Sequence, residues 1–199
     1  MTSGLRAFST AILMSSYFFT KSIGIGCDSM AQNKENAYHG TSVDAADNIL
    51  KEQHFRESRG DKEWLGTGVY FFPYRGHAEQ WLKTRHIAEG TVLEVQLEYD
   101  NDQLLDLDDP DQRRIMNSTL KKLETLIREK LNVSLPAEGK DRWKQWCLGC
   151  NLYRELCPRI GITAYTFPQD QTGISGFQDN QRQLCVSDHS IIKNIKKVL

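Results

Sequence analysis

Between positions 91 and 99 the chain alternates, with Leu93, Val95, Leu97 and Tyr99 on one side and Glu94, Gln96 and Glu98 on the other. A period of two with one wet face predicts a half-buried β-strand. After an acidic turn at 106–111 the period changes. Ile115, Met116, Leu120, Leu123, Ile127 and Leu131 keep helical spacing, which predicts a helix over 112–131. A second helix is expected over 141–156, stopped by Pro158.

Upstream, Val69-Tyr70-Phe71-Phe72 is a compact aromatic run closed by Pro73 and reads as a strand. A helix follows near 77–88, with Ala78, Trp81, Leu82 and Arg85 on neighbouring turns. Ala37-Tyr38-His39-Gly40 reads as a short strand entering a tight turn. Thr41 and Asp44 then stand at capping-box spacing before a helix carrying Val43, Ala46, Ile49 and Leu50. Two last strands, 162–167 and 182–187, flank a Gly- and Gln-rich loop. The succession predicts an α+β fold, a single domain over 31–199 with a helical insertion at about 112–157.

Composition agrees with one domain. The 199 residues leave room for one proper core, and 39% hydrophobic with 26% charged residues is ordinary for a soluble globular chain. A net charge of −1 gives no overall attraction for polyanions or anionic membranes, so nucleic-acid contact would need a local basic patch. Two clusters qualify: Lys121, Lys122, Arg128 and Lys130 on the inserted helix, and Lys193, Lys196 and Lys197 near the end, both of which also read as solvated helix faces.

Five cysteines are present, and Cys147 and Cys150, with Cys157 beyond, invite a zinc reading. Trp143, Trp146, Cys147, Cys150, Tyr153 and Leu156 also share helical spacing, which makes the thiols small apolar residues of a buried face, with no metal. A reducing compartment follows more easily than a disulfide framework, and the cytoplasm is the expected location. Residues 1–30 read as a leader: Arg6 precedes a short apolar run, 7–19, broken by Ser and Thr. It is too short and polar to span a membrane; it is a signal-like segment, which would make the protein secreted, or a mis-assigned start with Met30 as the true one.

Singly, His39 at a strand end, Gly66 and Gly68 before a strand, and Tyr70 in an aromatic run are ordinary structural residues. In combination, His39-Gly40-Thr41, a short helix, Leu65-Gly66-Thr67-Gly68-Val69-Tyr70-Phe71-Phe72 and a helix with Ala78 and Trp81 resemble the ADP-ribosyltransferase superfamily. The nearest branch is that of diphtheria toxin and poly(ADP-ribose) polymerase, marked by His, Tyr and Glu on three strands. The resemblance covers about 37–110 and returns at the last strand; the helical middle resembles nothing nameable.

The resemblance implies a split β-sheet with an NAD+ cleft. NAD+ would be a substrate: His39 would bond a ribose hydroxyl, the Gly40 backbone would pair with the nicotinamide amide, and Thr41 would support that loop. Tyr70 would stack on the nicotinamide, with Gly66 and Gly68 letting the backbone pass close to the dinucleotide. Counting back from Asp188 puts Gln183 where the family has its catalytic Glu. Alternation agrees, with Leu184 and Val186 facing the core and Gln183 and Cys185 the other side. Gln181 and Arg182 would meet the acceptor.

Breaking the ribose–nicotinamide bond develops positive charge on the sugar, as in glycoside hydrolysis. An amide can hold the ribose hydroxyl but offers no formal charge. The His-Tyr-Gln set therefore implies single-unit transfer rather than chain growth. The expected function is NAD+-dependent mono-ADP-ribosylation of a macromolecule, RNA or DNA ahead of protein. The expected context is that of a toxin, restrained by an antitoxin protein or serving antiviral defence. Two alternatives stand: an RNA 2′-phosphotransferase-like enzyme, which also opens on His-Gly-Thr, and a degenerate module that binds NAD+ or a macromolecule without chemistry.

Overall fold

The computed structural model describes residues 32–60, 63–131, 142–168 and 180–198, with side chains throughout except at 126–131 and 142. The leader reading for 1–30, and the side chains of Ile127, Arg128, Lys130 and Leu131, lie outside the described residues.

The alternating stretch becomes β3 (Gly90–Asp100), antiparallel to the long first strand β1 (Gln32–Ser42) on one side and to β7 (Ile192–Lys197) on the other. A second sheet has the order β2-β6-β5-β4, from β2 (Val69–Phe71), β6 (Gln181–Val186), β5 (Ile162–Phe167) and β4 (Leu104–Asp106). Only β4 and β5 run parallel among these pairs. Among the described residues, four α-helices complete the α+β fold: α1 (Val43–Glu52), α2 (Arg75–Thr84), α3 (Pro110–Leu131) and α4 (Arg142–Leu156).

The inward residues of both sheets share one core, with Ala37, Leu93, Val95 and Leu97 from the first meeting Val69, Phe71, Ile162, Leu184 and Val186 from the second. Each large apolar side chain buried here contributes roughly 1.5–3 kcal/mol, so the strand alternation is the main organiser of the fold. Ala46 and Ile49 of α1 and Phe55 join the same core. Helix α2 covers the opposite face of the first sheet, its Ala78 and Leu82 packing with Val92 of β3. Helices α3 and α4 cover β4 through Met116, Cys150 and Tyr153. The predicted insertion is thus an outer layer on the second sheet, and Ile115, expected inside, is 54% exposed.

Several local expectations change. β1 does not turn at Gly40 but runs on to Ser42, and the helix cap is Ser42, whose Oγ accepts from the Ala45 amide at 3.3 Å, rather than Thr41. Gly40 is needed because α2 lies directly against it: a Cβ there would stand 2.7 Å from the Ala78 carbonyl oxygen. Helix α2 begins at Arg75 and ends at Thr84, shorter than expected.

The lysine-rich end is a strand, not a helix face. A register shift between Glu94 and Gln96 disturbs the β3–β7 ladder. Ile192 and Ile195, three apart, can therefore both pack on the core, and the alternation that would announce a strand is lost.

Candidate functional site

Beside the shared core the backbones of the two sheets also meet. Tyr38 and Phe72 exchange two backbone hydrogen bonds of 2.8 Å, joining β1 to the end of β2. Next to this bridge opens a cleft of about 200 Å³, whose walls include His39, Gly40, Tyr70 and Gln183. These residues come from β1, β2 and β6, so segments more than a hundred positions apart converge on one space.

His39 is fixed by its surroundings. Its Nδ1 lies 2.8 Å from the Tyr70 carbonyl oxygen, and its ring meets Phe55 and Phe71 at centroid distances of 5.3 and 5.7 Å. A carbonyl only accepts, so Nδ1 carries the hydrogen and donates. Burial lowers the imidazole pKa from its ordinary value, against the opposing effect of the Tyr70 carbonyl. The neutral ring then keeps Nε2 as an acceptor, suited to a hydroxyl.

Tyr70 is half-buried and its hydroxyl is fully engaged, accepting from the Leu65 amide at 3.0 Å and donating to the Gly66 carbonyl at 2.8 Å. Burial drives the phenol pKa far upward, so it stays protonated. The ring is thereby fixed in the cleft wall, and its hydroxyl pins the loop before β2. On β6, Gln183 is 7% exposed and lines the cleft, and no side-chain hydrogen bond holds its amide among the described residues. An amide at the cleft wall with no protein partner can donate to or accept from a molecule that enters.

Alternation along β6 is as expected: Leu184 and Val186 enter the shared core, and Cys185 lies on the Gln183 side. Cys185 is itself buried, against Leu65 and Phe167, and burial pushes its thiol up to about 11.

Other predicted site residues sit elsewhere. Thr41 pairs with Thr91 in the β1–β3 ladder, outside the cleft lining. Gly66, at φ +91°, faces α4, where a Cβ would come within 2.4 Å of Arg154 Nη2 and 2.5 Å of Asn151 Oδ1. Its glycine therefore serves helix packing and backbone conformation rather than approach to a dinucleotide. Gly68 does line the cleft, but its missing side chain makes room for β6, with Cys185 Sγ and the Val186 oxygen both 2.7 Å from where a Cβ would be. Gln181 is buried on the Gln183 side but is not part of the lining.

Arg182 points to the other side of β6. It bonds Asp106 at 2.9 and 3.1 Å and also Asp108, which receives Thr166 Oγ1 at 2.7 Å. Burial raises the Asp108 pKa, but Thr166 and Arg182 outweigh it and hold the carboxyl below its ordinary range. Arg182 thus ties β6 to the end of β4 instead of reaching an acceptor at the cleft.

Among the described residues, no disulfide joins Cys147, Cys150, Cys157 or Cys185, and Cys27 lies outside them. Cys147 donates toward the Gly60 carbonyl at 3.7 Å, and Cys150 toward the Trp64 carbonyl at 3.9 Å. Burial pushes the Cys150 thiol up to about 12, so it stays protonated. Among the described residues, no group of three or more His, Cys, Asp and Glu side chains is arranged to hold a metal. No described helix is long and apolar enough to cross a membrane.

Comparison with known proteins adds one relative. The chain is 24% identical over 190 residues to an uncharacterized protein, MJ0359, of Methanocaldococcus jannaschii, covering 84% of this chain and 88% of that protein. No protein-family profile and no solved structure matches the chain.

Sequence reasoning missed several cleft residues, Arg56, Glu63, Trp81 and Arg85 among them. Arg56 is exposed at the rim, and the Arg85 guanidinium stands 5.7 Å from the centre of the Trp81 ring, so two cations and an indole border the space. Glu63 adds a carboxylate. Arg56 and Glu63 lie in a polar loop with no periodicity, while Arg85 merely closes a helix, so nothing in the pattern distinguishes them from solvated residues.

The fold also carries a pH dependence. His39 and His189 both have lowered pKa values, mainly through burial, so the unfolded chain binds more protons than the folded one just below the ordinary value of 6.5. Stability is expected to be full above that value and to fall as pH drops below it, until the folded-state pKa values are passed. Asp108 adds a later loss as pH falls below 3.8, its ordinary value, toward its lowered folded value. Urea denaturation from pH 8 to pH 3 checks this; a flat midpoint between about pH 7 and 5 would remove the histidine contribution.

Proposed function

We propose that the chain binds NAD+ in this cleft, releases nicotinamide and transfers single ADP-ribose units to a macromolecule. It would then be an ADP-ribosyltransferase of the diphtheria-toxin and poly(ADP-ribose) polymerase-like branch, its two sheets forming that family's split sheet. The observation that carries the reading is the convergence of His39, Tyr70 and Gln183, from three separate strands, on one cleft.

In this reading His39 Nε2 accepts from a ribose hydroxyl, and the Tyr70 ring is the platform for the nicotinamide. The Gly40 backbone reads the carboxamide, and Gln183 bonds the nicotinamide-side ribose. Arg56 and Arg85 supply positive charge for the diphosphate. A toxin-like role held by a protein partner rests on the resemblance. Against the RNA 2′-phosphotransferase alternative, Tyr70 gives the cleft a fixed aromatic wall that a nicotinamide can use.

The test incubates the purified protein with labelled NAD+ and cell extract. Label transfer is expected, and it should vanish in Tyr70→Ala. Nuclease or protease treatment then assigns the acceptor, and nuclease-sensitive label is the expected result. Gln183→Ala should lower transfer by about 10- to 1,000-fold if the amide clamps the ribose. NAD+ binding with neither label nor nicotinamide release would instead support a binding module, the reading favoured by an uncharged Gln183. Absence of any NAD+-induced thermal shift would sink both.

A further inference from the structure

The cleft poses an electrostatic problem: His39, Tyr70 and Gln183 are all neutral, yet ribosyl transfer develops positive charge. Among the described residues its one lining carboxylate belongs to Glu63, on the loop before β2. That side chain is partly buried and oriented, because Ser58 Oγ donates to Glu63 Oε1 at 2.5 Å. A short bond of this kind fixes one oxygen of a carboxylate and leaves lone pairs on the other. The loop is held as well: the Gly66 amide donates to the Glu63 carbonyl at 2.8 Å, and Tyr70 pins Leu65 and Gly66. Ser58 is itself anchored by two backbone bonds to Gly68. The Glu63 charge also reaches the Tyr70 hydroxyl and the Cys185 thiol, where it adds to the upward pKa shift of each.

We propose that Glu63, not the β6 residue, is the catalytic carboxylate of this cleft, offsetting the positive charge on the ribosyl group during transfer. The inference rests on the NAD+ reading above. In the step, the bond from ribose C1′ to the nicotinamide nitrogen breaks and its electron pair leaves with nicotinamide, which becomes neutral. The positive charge falls on C1′ and the ring oxygen, facing the Glu63 carboxylate. An acceptor oxygen or nitrogen then bonds C1′, and its proton passes to solvent at the open mouth. Gln183 keeps the clamping function of its strand position, while the charge comes from a loop.

The discriminating variant is Glu63→Gln, because its amide oxygen can still accept from Ser58 and only the charge is lost. NAD+ affinity by calorimetry should stay within about threefold of the native protein, while nicotinamide release falls about 100-fold. Its melting temperature should be unchanged. In Glu63→Gln combined with Gln183→Glu, release should recover at least about tenfold, since a carboxylate again faces the sugar.

Release within about threefold of native in Glu63→Gln would overturn the proposal while leaving the NAD+ reading intact. A rate loss with no recovery in the double variant, accompanied by a lower melting temperature in Glu63→Gln, would make Glu63 a loop staple and overturn it too. A native protein that binds no NAD+ would fail at the earlier step, overturning the reading and with it the role of Glu63.

Discussion

An alanine at position 39 is expected to lower nicotinamide release by about 100- to 1,000-fold. His39 links two parts of the site in one ring. Its Nδ1–H holds the Tyr70 carbonyl at 2.8 Å, and in the proposed reading its Nε2 accepts from the ribose hydroxyl. Alanine removes both and leaves a gap between Phe55 and Phe71. The stranded Tyr70 carbonyl alone costs about 1–3 kcal/mol, so part of the loss would come from stability. Denaturation curves and rates must therefore be measured together, at a temperature where the variant remains folded. A folded His39→Ala protein with native release and native NAD+ affinity would remove His39 from the site.

Gly68→Ala should be the most damaging small change to the fold, costing about 2–4 kcal/mol. A Cβ there would meet Cys185 Sγ and the Val186 oxygen at 2.7 Å and the Val186 carbonyl carbon at 3.0 Å. Two of these are backbone atoms of β6, so relief requires β2 to separate from β6. That movement would also disturb the backbone pair between Ser58 and Gly68, at 2.9 and 3.1 Å. Gly76→Ala is the matched control: it lies in α2 with nothing within 4 Å, and should stabilise by about 0.5–1 kcal/mol. Urea midpoints for the two variants should move in opposite directions. Equal midpoints for Gly68→Ala and the native protein would show that β2 and β6 are not held as close as described.

The legible parts of the sequence were those where one periodicity governs burial. β3 declares itself because Leu93, Val95, Leu97 and Tyr99 all enter from one face. The same rule applied to β6 puts Leu184 and Val186 in the core, whereas the role expected of Gln183 came from the resemblance. β4 escaped because three residues are too few to show a period, and β7 because the shift in its ladder removes one.

Glycines were legible as special but not as to why. Gly40 and Gly66 are demanded by helices that approach from the far side, and a linear sequence does not contain that contact. Arg182 was read by its position next to Gln183, yet adjacent strand residues face opposite ways, and its partners Asp106 and Asp108 lie more than seventy positions earlier. Glu63 and Arg56 acquire meaning only when the loop before β2 is seen against the cleft.

The last strand has a consequence outside the site. Among the described residues β7 pairs only with β3, so its other side offers a row of backbone groups to any passing chain. Lys193, Lys196 and Lys197 crowd that margin with charge, and Asn194, at φ 53°, kinks the strand out of the flat shape that stacking requires. Lys196 pairs with Glu94 at 2.9 Å. Charge and a kink on an edge strand both disfavour pairing with the edge of a second molecule.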